Sequence, residues 1–152
     1  MPTRRDWLRA SLGGAAALLV GRRSLLAAPP TPVVTVYKDP GCECCNKWIK
    51  HLTAHGFVVN PHDLKNVAEI KQTMNVPTAL QACHTALVGA YVVEGHVPAD
   101  LIHKMLKEKP PIVGLAVPGM PNGSPGMETG RVDRYDVIAF ARDGQTAVYA
   151  KR

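Results

Sequence analysis

The chain has 152 residues, a net charge of +6 and an apolar fraction of 46%, of which aromatic residues make 5% of the chain. That length allows one domain with an appendage and excludes a TIM barrel or a two-lobed enzyme; the apolar fraction excludes a disordered chain, and no uncharged apolar run reaches the roughly 18 residues of a membrane-spanning helix. Five arginines against one aspartate in residues 1–28 account for +4 of the charge and leave +2 for the other 124 residues, so the basic balance belongs to the N-terminal segment and is no nucleic-acid footprint.

That segment reads Thr3-Arg4-Arg5-Asp6-Trp7-Leu8-Arg9, then a weakly apolar stretch from Ser11 to Gly21, then Ala27 and Ala28 before Pro29, Pro30 and Pro32. Charge, apolar run and small residues in this order make an export signal. It resembles a twin-arginine signal, with Trp7 in the aromatic place and Arg9 in the basic one. Leu26-x-Ala28 is an imperfect cleavage site. Residues 1–28 are therefore expected to be the signal and 29–152 a single domain. The expected compartment is the periplasm, where thiols must be paired, metal-bound or redox-cycling. No membrane contact is expected once the signal is removed.

Val33 to Tyr37 is β-branched and apolar, hence a strand, and Asp39-Pro40-Gly41 is a turn. Cys44 to His55 places Trp48, Ile49 and Leu52 at helical spacing, with Gly56 as a stop. Phe57 to Asn60 reads as a strand. Asn66, with Glu69 three residues on, caps a helix through about Met74, which Val76-Pro77-Thr78 breaks. Ala86 to Glu94 reads as one or two strands crossing a Gly89 kink. Asp100 is expected to cap a helix from Leu101 to Lys109, ended by Pro110-Pro111. From Gly114 to Gly130 the Gly/Pro content predicts a long loop, and Tyr135–Phe140 with Ala147–Ala150 predicts a hairpin turning at Asp143-Gly144.

The chemistry lies in the thiols. Cys42, Cys44 and Cys45 crowd the start of the first helix, and Cys83-His84 follows Pro77. A helix N-terminus favours thiolate, the form that both binds metal and attacks disulfides. His96 stands at a strand end beside Gly95, and Met120 and Met127 lie in the Gly/Pro loop. Cysteine, imidazole and thioether together favour Cu(I) first and Zn(II) second. Vicinal Cys44 and Cys45 rarely bridge, but Cys42–Cys45, or either of Cys44 and Cys45 with Cys83, would suit a structural disulfide. His51, His55, His62 and His103 read as solvated helix or loop residues.

The element order, with Cys42-x-x-Cys45 opening the first helix and Pro77 before the third strand, resembles the thioredoxin and glutaredoxin plan: an α/β fold with a central mixed sheet and flanking helices. In that plan the proline is often cis. The strings YKDPGCECC at Tyr37–Cys45, Val76-Pro77, Cys83-His84-Thr85, YVVEGHVP at Tyr91–Pro98 and VPGMPNGSPGM at Val117–Met127 resemble the bacterial family catalogued as domain of unknown function 411. That resemblance covers about residues 33–150 and implies metal binding with a copper role. It implies Cys42, Cys44, Cys45, Cys83, His84, His96, Met120 and Met127 as the metal residues.

Three functions follow. The first is a non-enzymatic periplasmic Cu(I) chaperone or buffer, whose partners are the metal ion and other copper-handling proteins. The second is a thiol–disulfide oxidoreductase with Cys42 as nucleophile and Cys45 as resolving thiol. The third is an interaction module with inert disulfides.

Overall fold

A computed structural model describes residues 30–152. The export signal expected over residues 1–28 lies outside the described residues. The elements run β1 (Val33–Lys38), α1 (Glu43–Ala54), β2 (Val58–Asp63), α2 (Ala68–Thr73), a 3-10 turn (Thr78–Leu80), β3 (His84–Val88), β4 (Tyr91–Glu94), α3 (Ala99–Glu108), β5 (Gly114–Ala116), β6 (Asp136–Phe140) and β7 (Thr146–Lys151). The fold is mixed α/β, built on one seven-stranded sheet in the order β2-β1-β3-β4-β5-β6-β7. β1 pairs parallel with β2 and antiparallel with β3, and β3 pairs antiparallel with β4.

Side chains alternate along the strands and separate two cores, as the two-residue period of a strand requires. Val34 and Val36, Ala86 and Val88, Val93, Leu115, Val137 and Ala139 join Trp48 and Leu52 of α1 and Ile102 and Met105 of α3. Val92, Ala116 and Phe140 form the other cluster, with Val76 and Leu80. Trp48 is fully buried and its indole N–H donates to the Val97 carbonyl at 2.9 Å. Truncating such a side chain costs ~3–5 kcal/mol.

α1 forms because Cys45, Trp48 and Leu52 share its buried stripe, and it stops where Gly56 takes φ +84°. Three expectations need correction. Gly114 to Ala116 is strand rather than loop, and a Cβ at Gly114 would lie 1.9 Å from the Val92 carbonyl oxygen, so only glycine lets these neighbouring strands pair. α3 starts at Ala99, and its first N–H is capped by the ring Nε2 of His51 at 3.1 Å; Asp100 instead sits in the first turn and pairs with Arg152. No peptide bond among the described residues is cis, the one before Pro77 included. β2 runs on through Pro61, which an edge strand tolerates because its outer N–H groups need no partner.

Candidate metal centre

Antiparallel pairing of β3 with β1 brings the start of β3 to the end of β1: His84 is the register partner of Lys38. The turn after Lys38 carries the three clustered cysteines, and the residue before His84 is Cys83. Sheet register alone thus delivers Cys83 to the N-terminus of α1. The ligand atoms of Cys42, Cys44, Cys45 and Cys83 all lie within 4.8 Å of one another, and so do those of Cys83, His84 and His96. Cys83 belongs to both groups.

Cys42 and Cys45 form a disulfide, with Cα atoms 5.3 Å apart. Cys44 and Cys83 are free, their sulfurs 3.9 Å apart, and Cys44 Sγ stands 3.5 Å from Cys42 Sγ. The bridge expected as one alternative therefore forms, and it forms between Cys42 and Cys45 rather than to Cys83. In this state two of the four sulfurs are oxidised, and metal binding by all four needs the bridge reduced.

Protons around Cys83 can be assigned by elimination. The Pro125 carbonyl only accepts, so His96 Nδ1–H donates to it at 2.7 Å and His96 Nε2 is an acceptor. That acceptor lies 3.0 Å from Cys83 Sγ, which donates its S–H there. His84 Nδ1 lies 3.3 Å from the same sulfur. His84 Nε2 is fully buried and without a hydrogen-bond partner. Two buried imidazoles within 3.3 Å of Cys83 Sγ and the clustered sulfurs make a soft-to-borderline donor set.

Electrostatics agree that these groups are neutral before metal arrives. Burial, followed by neighbouring Cys44, pushes the Cys83 thiol up to about 12. Burial holds His84 well below its ordinary value, with His96 adding to the effect, and burial also lowers His96. Neutral imidazole is the ligating form, while a cation must displace the thiol protons.

The Gly/Pro loop is ordered against this cluster. The backbone N–H groups of Met127 and Gly123 bond to the carbonyls of Ser124 and Met127, and Ser124 is fully buried. Gly126 has φ +94°, and a Cβ there would stand 2.8 Å from the Cys44 carbonyl oxygen, 3.0 Å from Trp48 N and 3.2 Å from His96 Nδ1. The loop therefore walls the imidazole side. Met127 is half-buried in it, while Met120 is 52% exposed at its outer part.

Two features were not read from the sequence. His51, expected to be solvated, is half-buried and caps α3. Lys71, Thr85 and Glu94 are buried together behind the site. A glutamate closing the otherwise apolar run Tyr91–Glu94 was the available signal for the latter.

Residues 80–127 match the family model described as protein of unknown function, DUF411. Two solved structures, forms 2 and 1 of copper resistance protein copG, are similar to this chain. Each is 45% identical, with TM-scores of 0.78 and 0.77, covering 81% of this chain and 99% and 98% of its own. No curated protein matches.

Proposed function

This chain belongs to the DUF411 family, and on that premise we propose that it is a copper-handling protein of the periplasm which binds Cu(I) as a chaperone or buffer. The observation that carries the reading is the meeting of four cysteine sulfurs with two buried imidazoles around Cys83. Thiolate and imidazole suit Cu(I), with Zn(II) as the second choice. The likeness to copper resistance protein copG supports copper. Cys83, Cys42 and Cys45 serve as principal ligands once the bridge is reduced, with Cys44, His84 and His96 completing the set. The Gly/Pro loop limits water, and the thioethers of Met127 and Met120 guard its inner and outer parts.

Exchange with partner proteins proceeds by ligand substitution at the half-exposed Cys42, Cys44 and Cys83, while Cys45 is fully buried. The order of the first four strands, with the triple-thiol turn opening α1, supports a thioredoxin-like scaffold turned to metal capture. The twin-arginine-like segment supports export, and no helix among the described residues is long and apolar enough to cross a membrane. Titration of the reduced protein with Cu(I) against a chelator tests the reading. Tight uptake, lost in Cys42→Ser and Cys83→Ser, is expected; a reduced protein that takes up no Cu(I) overturns it.

The Cys42–Cys45 disulfide at the start of α1 favours a second reading, a thiol–disulfide oxidoreductase. Against it stands Cys44, a third thiol 3.5 Å from Cys42 that would divert a mixed disulfide. Catalytic reduction of insulin, abolished by Cys42→Ser, would establish this activity; inactivity removes it.

A further inference from the structure

Behind the metal centre lies a polar cluster that the site itself does not use. Glu94 ends β4 and is fully buried; Lys71 of α2 is 6% exposed. Glu94 Oε1 accepts from Lys71 Nζ at 2.6 Å and from the Ala82 backbone N–H at 2.6 Å, and Glu94 Oε2 accepts from the Thr85 hydroxyl at 2.7 Å. Lys71 Nζ also donates to Thr85 Oγ1 at 2.9 Å. Burial pushes the Glu94 carboxyl up, but its donors pull it back, and an acid that accepts three hydrogen bonds and donates none is a carboxylate.

The placement of these bonds is what matters. Ala82 immediately precedes Cys83. Glu94 leads through Gly95 directly to His96, and Gly95, at φ +69°, has no room for a Cβ between Ala82 and the Val117 carbonyl, each 2.7 Å away. One side chain therefore joins the backbone entering Cys83 to the backbone leaving for His96. These are the two residues whose Sγ and Nε2 face each other at 3.0 Å.

A buried ion pair is poor value as a stabiliser, since apolar residues of similar volume are often neutral or better at such positions. A pair retained beside a ligand set is better explained by what it positions. We propose that Glu94, held by Lys71 and Thr85, is a positioning residue that sets the gap between Cys83 and His96 and so tunes metal affinity. The proposal deepens the copper-binding reading and rests on it for the identity of the cargo. Supporting partners of this kind alter affinity by roughly 10–100-fold when lost.

The test uses the double variant Lys71→Met with Glu94→Met, which removes both charges together and avoids stranding one of them. Glu94→Gln is the second variant and keeps an acceptor for Ala82. Three readouts are taken: thermal melting, Cu(I) affinity of reduced protein by chelator competition, and alkylation of Cys83 relative to Cys44 in the disulfide form, where these two thiols alone react. The double variant is expected to melt near the wild type, to bind Cu(I) about 10–100-fold more weakly, and to alkylate faster at Cys83 than at Cys44. Glu94→Gln is expected to fall between the double variant and the wild type. A folded double variant with wild-type affinity and an unchanged alkylation ratio overturns the proposal. Should the double variant fail to fold, Glu94→Gln decides by the same two readouts. Should the wild type take no Cu(I), the copper reading falls and the alkylation ratio alone decides this proposal.

Discussion

Five of the six histidines fall into two groups with different work to do. His84 and His96 are fully buried, 5.3 Å between ring centres, and they face a thiol. His51, His55 and His103 join α1 to α3, and each has a ring nitrogen committed to backbone. His51 Nε2 accepts from Ala99 N–H, His55 Nδ1 donates to the His51 carbonyl at 2.7 Å, and His103 Nε2 donates to the His55 carbonyl at 2.8 Å. His103 also stacks on Phe57. The first group keeps ring nitrogens within 3.3 Å of the Cys83 sulfur, while the second joins secondary structure. In His96 the Pro125 carbonyl anchors Nδ1, and that anchor leaves Nε2 as the lone pair beside Cys83.

The largest expected effect is at the sulfur that defines the first group. Cys83→Ser should abolish measurable Cu(I) uptake in chelator competition while melting near the wild type; retained tight binding would remove Cys83 from the centre of the site. Gly126→Ala comes next. Its Cβ presses on backbone of α1 and on His96, at a φ of +94° that side chains rarely adopt, so both melting temperature and metal affinity should drop.

His96→Ala against His103→Ala tests the contrast directly. The first should weaken Cu(I) binding by about 10–100-fold, and the second should leave it unchanged. Equal effects would break the distinction between the groups.

His51→Gln acts on stability. Burial, followed by the neighbouring His55, lowers the His51 pKa, so its neutral form is favoured in the folded state. Its contribution is present above the ordinary imidazole pKa of about 6.5 and is lost as the pH falls below it. The wild type should lose melting temperature below about pH 6.5. His51→Gln, which keeps an acceptor for Ala99 N–H, should lose less. Replacing His51 by Ala removes the cap and should cost ~1 kcal/mol at neutral pH, read by denaturant melts. Met120→Leu should give the smallest effect, a slight weakening of Cu(I) binding, because this thioether is half-exposed.

Local patterns carried the first half of the chain. Trp48 and Leu52 marked the buried face of α1, Gly56 its end, and the β-branched run at Val33 the first strand. The clustering of Cys42, Cys44 and Cys45 with Cys83 followed from element order, because a strand returning antiparallel to β1 must begin near the turn that ends β1. What was hidden depends on partners distant in sequence. β5 has three residues, and its glycine is required by Val92 on a neighbouring strand. The cap of α3 comes from a ring 48 residues upstream, so Asp100 looked like the better candidate. The Glu94–Lys71 pair spans 23 residues and joins a strand end to a helix. The exposed position of Met120 depends on the path of a loop whose shape is set by its own hydrogen bonds.

Pro61 carries a last consequence. An open sheet ends in two raw borders where a second molecule can zip on, a recurrent hazard for concentrated β-rich proteins. At the β2 border Pro61 withholds the hydrogen that an incoming strand would need midway along its length. Crowded copies would find an interrupted rung there.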